Sequence, residues 1–113
     1  MNKCLGLTGL LLALIVAAPV HATKMPPLAK DSGCSDCHAI SYKVIGPAWA
    51  DVAKRYKSKP GSKALLIERV RNGTKGNWTE VTNGVYMPPN YPRVTEENIE
   101  KLVEFILTLN RAK

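Results

Sequence analysis

The chain is 113 residues long and basic, with 16 Lys and Arg against 9 Asp and Glu for a formal net charge of +7. That length suits one small domain, and the basic excess comes without a recognisable nucleic-acid-binding motif. Three Cys and two His are too few for a structural zinc site of about four such ligands once those near the N-terminus are removed.

The first 22 residues read as a secretory signal peptide. Lys3 supplies the positive start, Leu5 to Ala18 is an almost unbroken apolar run of 14 residues, Pro19 ends it, and Val20-His21-Ala22 suits a signal peptidase. The run is short of the roughly 18 or more residues that span a bilayer, which argues against an uncleaved anchor. Cys4 precedes the run, so it is not placed as a lipid-attachment cysteine would be. Cleavage after Ala22 removes Lys3, Cys4 and His21 and leaves one domain, residues 23–113, lowering the formal charge to about +6. A chain this short builds only a modest core of its own.

Thr23 to Leu28 is a Pro-containing lead-in. A short helix is predicted from about Pro27 into residues 34–38, weakened by Gly33. Ser41 to Pro47 reads as a loop closed by Gly46-Pro47. Ala48 to Tyr56 carries Trp49, Val52, Ala53 and Tyr56 at helical spacing. Lys57 to Ser62 is a turn, and Lys63 to Arg71 a third helix stopped by Asn72-Gly73. Thr74 to Arg93 is rich in Gly, Asn and Pro and reads as one long loop. The last helix has Thr95 as N-cap and Glu96 and Glu97 in its first turn, where the helix dipole favours negative charge. Ile99, Leu102, Val103, Ile106 and Leu109 form its buried face, and Arg111 and Lys113 suit its C-terminal end. No strand pair is evident, so the predicted class is all-α, about four helices.

Residues 34–38 are Cys34-Ser35-Asp36-Cys37-His38. Two thiols three positions apart followed by an imidazole match the signature for covalent attachment of c-type haem. Each thiol can add to one vinyl group on the same porphyrin edge, and His38 then reaches the iron from one face. A zinc reading leaves Cys34, Cys37 and His38 one ligand short. A thioredoxin-like thiol–disulfide oxidoreductase would use the same Cys pair, but that motif belongs near a βαβ pattern that is not present. The simplest competing reading is a small structural disulfide that happens to precede a histidine.

The second axial ligand falls to Met87, Met25, a lysine or nothing, because the domain after cleavage has only one histidine. Met87 is the best choice. It lies in the long loop, 49 positions after His38, and Pro88 and Pro89 stiffen the backbone behind it. Long loops inside small domains are usually functional. Methionine is a usual partner of histidine on haem iron in electron carriers, and it raises the potential. Met25 stands close to the predicted N-terminus, where frayed chain is expected.

Beyond the pentapeptide, the blocks Gly33 to Ile40, Gly46-Pro47-Ala48-Trp49, Asp51-Val52-Ala53, Arg69 to Gly73, Gly76-Asn77-Trp78 and Met87-Pro88-Pro89-Asn90 follow in order. Across nearly all of residues 29–110 the chain resembles the short bacterial class I cytochromes c, the c-551 type of periplasmic carrier. The resemblance implies a small helical fold around one covalent haem c, bound through Cys34 and Cys37, with His38 and Met87 as axial ligands. It implies that the Pro47 carbonyl accepts the other ring N–H of His38, that Asn90 hydrogen-bonds near the Met87 sulfur, and that Arg69 and Trp78 donate to a haem propionate. One departure is the stretch Thr79 to Tyr86 between Trp78 and Met87, longer than the family pattern and placed to alter exposure of the Met-side haem edge.

These readings make the chain a monomeric one-electron carrier of the periplasm rather than an enzyme. Its expected partners are acidic-surfaced redox proteins, a reductase or oxidase and an upstream donor, with no nucleic acid and no membrane insertion after cleavage. Most of the scattered lysines keep the surface solvated, and their sum can also steer acidic partners. The alternatives are a haem enzyme or gas-binding protein with an open sixth position, and the thiol–disulfide oxidoreductase.

Overall fold

The computed structural model describes residues 6, 9–17 and 23–110. The predicted cleavage site at Val20-His21-Ala22, Lys3, Cys4, Arg111 and Lys113 lie outside the described residues. Leu10, Leu11, Leu12, Leu14, Ile15 and Val16 are exposed and outside any helix. Among the described residues no helix is long and apolar enough to cross a membrane.

Among the described residues the fold is made of five α-helices and one 3-10 turn: α1 Pro27–Asp31, the turn Cys34–Asp36, α2 Trp49–Tyr56, α3 Ser62–Asn72, α4 Thr79–Thr82 and α5 Glu96–Thr108. No strand forms among the described residues, where the only β-type pairings are isolated bridges His38–Lys43 and Thr74–Met87. The class is all-α, as expected.

Two elements differ from their sequence-based expectation. The helix from Pro27 does not run into the thiol pair. It stops at Asp31, Gly33 takes a left-handed φ of 78°, and the pentapeptide starts its own 3-10 turn. A residue with a Cβ resists that φ, so Gly33 is the punctuation between the two elements. Thr74 to Arg93 is not loop throughout. Within it, the Val81 and Thr82 N–H groups donate to the Trp78 carbonyl and close α4, which Asn83 ends in the left-handed region. Four residues are too few to show a helical period, so α4 left no signal in the sequence.

α5 organises the core. The Thr95 hydroxyl accepts the Asn98 N–H at 3.2 Å, capping the helix,. Ile99, Leu102, Val103 and Ile106 are buried, and Leu109 joins them just past the helix end. They pack against α2 and α3 through Trp49, Val52, Ala53, Tyr56 and Leu66. Each such side chain contributes about 1.5–3 kcal/mol relative to exposure. Trp49 and Phe105 meet edge to face at 6.0 Å, a favoured aromatic geometry. The cation at the α5 C-terminus comes from α2's end: Lys57 Nζ donates to the Leu109 carbonyl and to Asn110 Oδ1, each at 2.7 Å,.

Ile99 is 0 % exposed. Ile99→Ala is expected to lower the unfolding free energy by about 2–5 kcal/mol. Lys101→Ala removes only an exposed pair with Glu97 and changes it by less than about 0.5 kcal/mol. Denaturant titration of the two variants measures the difference.

Candidate functional site

The pentapeptide is folded tightly before any ligand is considered. The Cys37 and His38 N–H groups both donate to the Cys34 carbonyl, at 3.2 and 2.9 Å. Both thiols are free, with no disulfide between them, and half-buried. Burial raises the Cys34 pKa above its ordinary value, and the nearby Arg93 guanidinium offsets only part of that.

His38 is the most constrained side chain. Its Nδ1 lies 2.8 Å from the Pro47 carbonyl oxygen. A carbonyl can only accept, so Nδ1 carries the proton. Burial pushes the His38 pKa below its ordinary value, and the bond to Pro47 opposes this without cancelling it. The ring is therefore neutral near pH 7, and Nε2 holds a free lone pair suited to a metal. The Ile45 and Gly46 N–H groups donate to the Cys37 carbonyl, folding the loop back over the motif. A Cβ on Gly46 would lie 2.4 Å from His38 Cε1. The glycine is there because the imidazole occupies its side-chain space.

Met87 sits on a second, independent support. Thr74 and Met87 exchange two backbone hydrogen bonds, each 3.0 Å. Gly73 lets the chain approach, with φ 77° and a space in which a Cβ would lie 2.5 Å from the Met87 carbonyl,. The Asn90 amide donates to the Val70 and Pro88 carbonyls at 3.1 and 3.2 Å, and its Oδ1 accepts from Arg93 at 2.6 Å. Both amide protons of Asn90 are thus committed to backbone carbonyls. The side chain thus bonds beside Met87, at the Pro88 carbonyl, and ties the Met87–Asn90 segment to the end of α3.

A cavity of about 250 Å³ brings Cys37, His38, Pro47, Arg69, Trp78 and Met87 together. Val52, Leu66, Val103 and Ile106 line its inner side, and Thr82, Val85 and Tyr86 bring the Thr79–Tyr86 stretch into its wall. Cys34 and Asn90 do not line it. Arg69 lines it while donating to the Tyr56 hydroxyl at 2.7 Å. Lys75 lines it too. Met25 does not: far from frayed, it packs against the core cluster, which corrects its predicted place.

Two arginines beside the site carried no sequence signal for their contacts. Arg93 joins the Met87–Asn90 segment to the chain just ahead of the pentapeptide, donating to Asn90 Oδ1 and, across 61 positions, to the Ser32 carbonyl at 2.7 Å. Arg55 covers the Trp78 ring, its guanidinium 3.3 Å from the ring centroid. Both contacts join residues far apart in the chain, which no local pattern records.

The donor set fits the haem implied by the pentapeptide. Two thiols stand three positions apart, a neutral imidazole has its Nδ1 bonded and its Nε2 left for a metal, and a methionine, Met87, is among the residues lining a largely apolar cavity. Among the described residues no three His, Cys, Asp or Glu side chains converge as a separate metal cluster.

Comparisons with known proteins agree. The family model described as "Cytochrome c" matches residues 26–110. The chain is similar to cytochrome c-551 of Pseudomonas aeruginosa, 37% identical over 81 residues that cover 72% of each chain. It is similar to cytochrome c-552 of Nitrosomonas europaea, 35% identical over 97 residues, 86% of this chain and 87% of the relative. The crystal structure of wild-type Nitrosomonas europaea cytochrome c552 superposes with a TM-score of 0.66 at 35% identity, covering 74% of this chain and 96% of that one.

Gly46→Ala forces the His38 ring off its Pro47 contact and is expected to destabilise the protein by about 1–3 kcal/mol. An unchanged midpoint in denaturant unfolding would mean the ring has room to move aside.

Proposed function

The chain belongs to the cytochrome c family and is a haem-based electron carrier, and on that premise we propose that it shuttles single electrons between periplasmic redox proteins, with His38 and Met87 as axial ligands. Haem c, covalently attached in this family, supplies the one-electron exchange. The residues do the rest. Cys34 and Cys37 hold the group through thioethers, and His38 offers Nε2 while Pro47 fixes its ring. Met87 offers its thioether from the Thr74 ladder. Arg69 and Trp78 line the cavity and would offer N–H donors to the propionates.

The observation that carries this reading is that one cavity is lined by both His38 and Met87, the two residues singled out as ligands, while Met25 faces elsewhere. Held by both His38 and Met87, the iron would offer no open position to a substrate. The protein's part is then to set the potential, through methionine ligation and an apolar surround, and to present an edge.

Export supports a periplasmic location, through the apolar run from Leu5 to Ala18. The partners we propose are acidic-surfaced reductases, oxidases and donors, met as a monomer in brief complexes with small interfaces. Their attraction comes from the net positive charge, +7 for the whole chain before haem propionates are added,.

Oxidised holoprotein is expected to show a weak near-infrared band from methionine sulfur on ferric iron, and Met87→Ala to abolish it and lower the potential. A band that survives this change would assign the ligand to another group. Electron transfer to the natural partner is expected to slow as ionic strength rises, because salt screens long-range attraction. A rate flat across ionic strength would remove the steering role.

A further inference from the structure

Arg55, on α2, makes three contacts with one short stretch of chain. Nη1 donates to the Asn77 carbonyl at 2.7 Å, Nη2 donates to Glu80 Oε1 at 2.8 Å, and the guanidinium lies 3.3 Å from the Trp78 ring centroid. Glu80 stands in α4, within the Thr79–Tyr86 stretch between Trp78 and Met87. The stretch therefore carries a fastening of its own.

The contacts continue toward the site. Asn77 Nδ2 donates to Thr74 Oγ1 at 2.5 Å. Thr74 in turn holds Met87 through two backbone hydrogen bonds of 3.0 Å. Thr74, Asn77, Trp78 and Met87 all line the cavity. A continuous path thus runs from a helix on the His38 side of the chain, through Asn77 and Thr74, to the residue proposed as the second ligand.

We propose that Arg55 is a positioning residue that fixes the Trp78 wall and, through Asn77 and Thr74, the backbone ladder carrying Met87. Its effect on the reduction potential rests on the reading of Met87 as ligand; its effect on the ladder does not. The geometry calls for arginine in particular. A planar fork serves a carbonyl and a carboxylate at once while its face stacks on an indole, whereas an ammonium is a point charge. The Glu80 contact is the least of the three, because the two side chains are 34% and 61% exposed and such pairs contribute little,.

The test uses holoprotein carrying Arg55→Met, Arg55→Lys or Glu80→Gln. Amide hydrogen exchange is followed by NMR in the reduced state, and the midpoint potential is measured on each. In Arg55→Met, the Thr74 and Met87 amides are expected to exchange about tenfold faster or more, as loss of hydrogen bonds to a charged group implies. The Ile99 and Val103 amides of α5 stay at wild-type rates, and the potential shifts. Arg55→Lys goes most of the way to Arg55→Met. Glu80→Gln stays near wild type, because the Asn77 and Trp78 contacts remain.

Wild-type exchange at Thr74 and Met87 in Arg55→Met overturns the inference. So does equal acceleration in α5, which marks general destabilisation, and so does a Glu80→Gln variant that matches Arg55→Met, which reduces the effect to a surface ion pair. Faster exchange with an unmoved potential also overturns it, provided Met87→Ala abolishes the near-infrared band. A band that survives Met87→Ala sinks the ligand assignment instead, and exchange at the ladder then decides the role of Arg55 alone.

Discussion

Val52, Leu66, Val103 and Ile106 each face two ways, into the packing of α2, α3 and α5 and onto the wall of the cavity. The core of this domain is therefore also the lining of its site. In a chain so short the helices alone bury limited apolar area, and an apolar cavity is completed by an apolar occupant better than by water. Stability and cofactor binding cannot be assigned to separate residues here. A substitution on the inner face of α5 acts on both.

Around that shared core, the two proposed ligands are held by different means. His38 is held by its side chain: the Pro47 carbonyl takes one ring nitrogen and the space at Gly46 receives the ring. Met87 is held by its backbone, through Thr74 on one side and the close approach of Gly73 on the other. A strong ligand with a rigid ring needs only the right orientation. A weak thioether on a flexible side chain needs its point of attachment fixed, because rotamer freedom is large. Asn90 and Arg93 then tie the two supports together, Arg93 reaching the Ser32 carbonyl just ahead of the pentapeptide.

How much of this was legible follows from the range of each interaction. The five residues from Cys34 to His38 carry their chemistry in their spacing, and α5 shows its buried face because Ile99, Leu102, Val103 and Ile106 repeat over about two turns,. Gly33 was visible as a weak point, but not as a full stop, since its left-handed φ belongs to the folded backbone. α4 was illegible for want of length. Arg55 and Arg93 left no local pattern to read, because Arg55 has its partners 22 and 25 positions away and Arg93 reaches Ser32 across 61. Asn90 was noticed for its place beside Met87, yet its amide serves α3 and Pro88, a choice made by backbone carbonyls that any residue would present.

The ladder between Thr74 and Met87 closes residues 75–86 into a loop. Entropy penalises such closure only slowly with length, about 0.6 kcal/mol for each doubling. A change in the length of this loop thus leaves the register of the ladder untouched, while its side chains such as Val85 and Tyr86, 52% and 48% exposed, stand at the cavity mouth. A change of length within residues 75–86 can therefore reshape the outward face of this protein while the pairing of Thr74 with Met87 stays as it is.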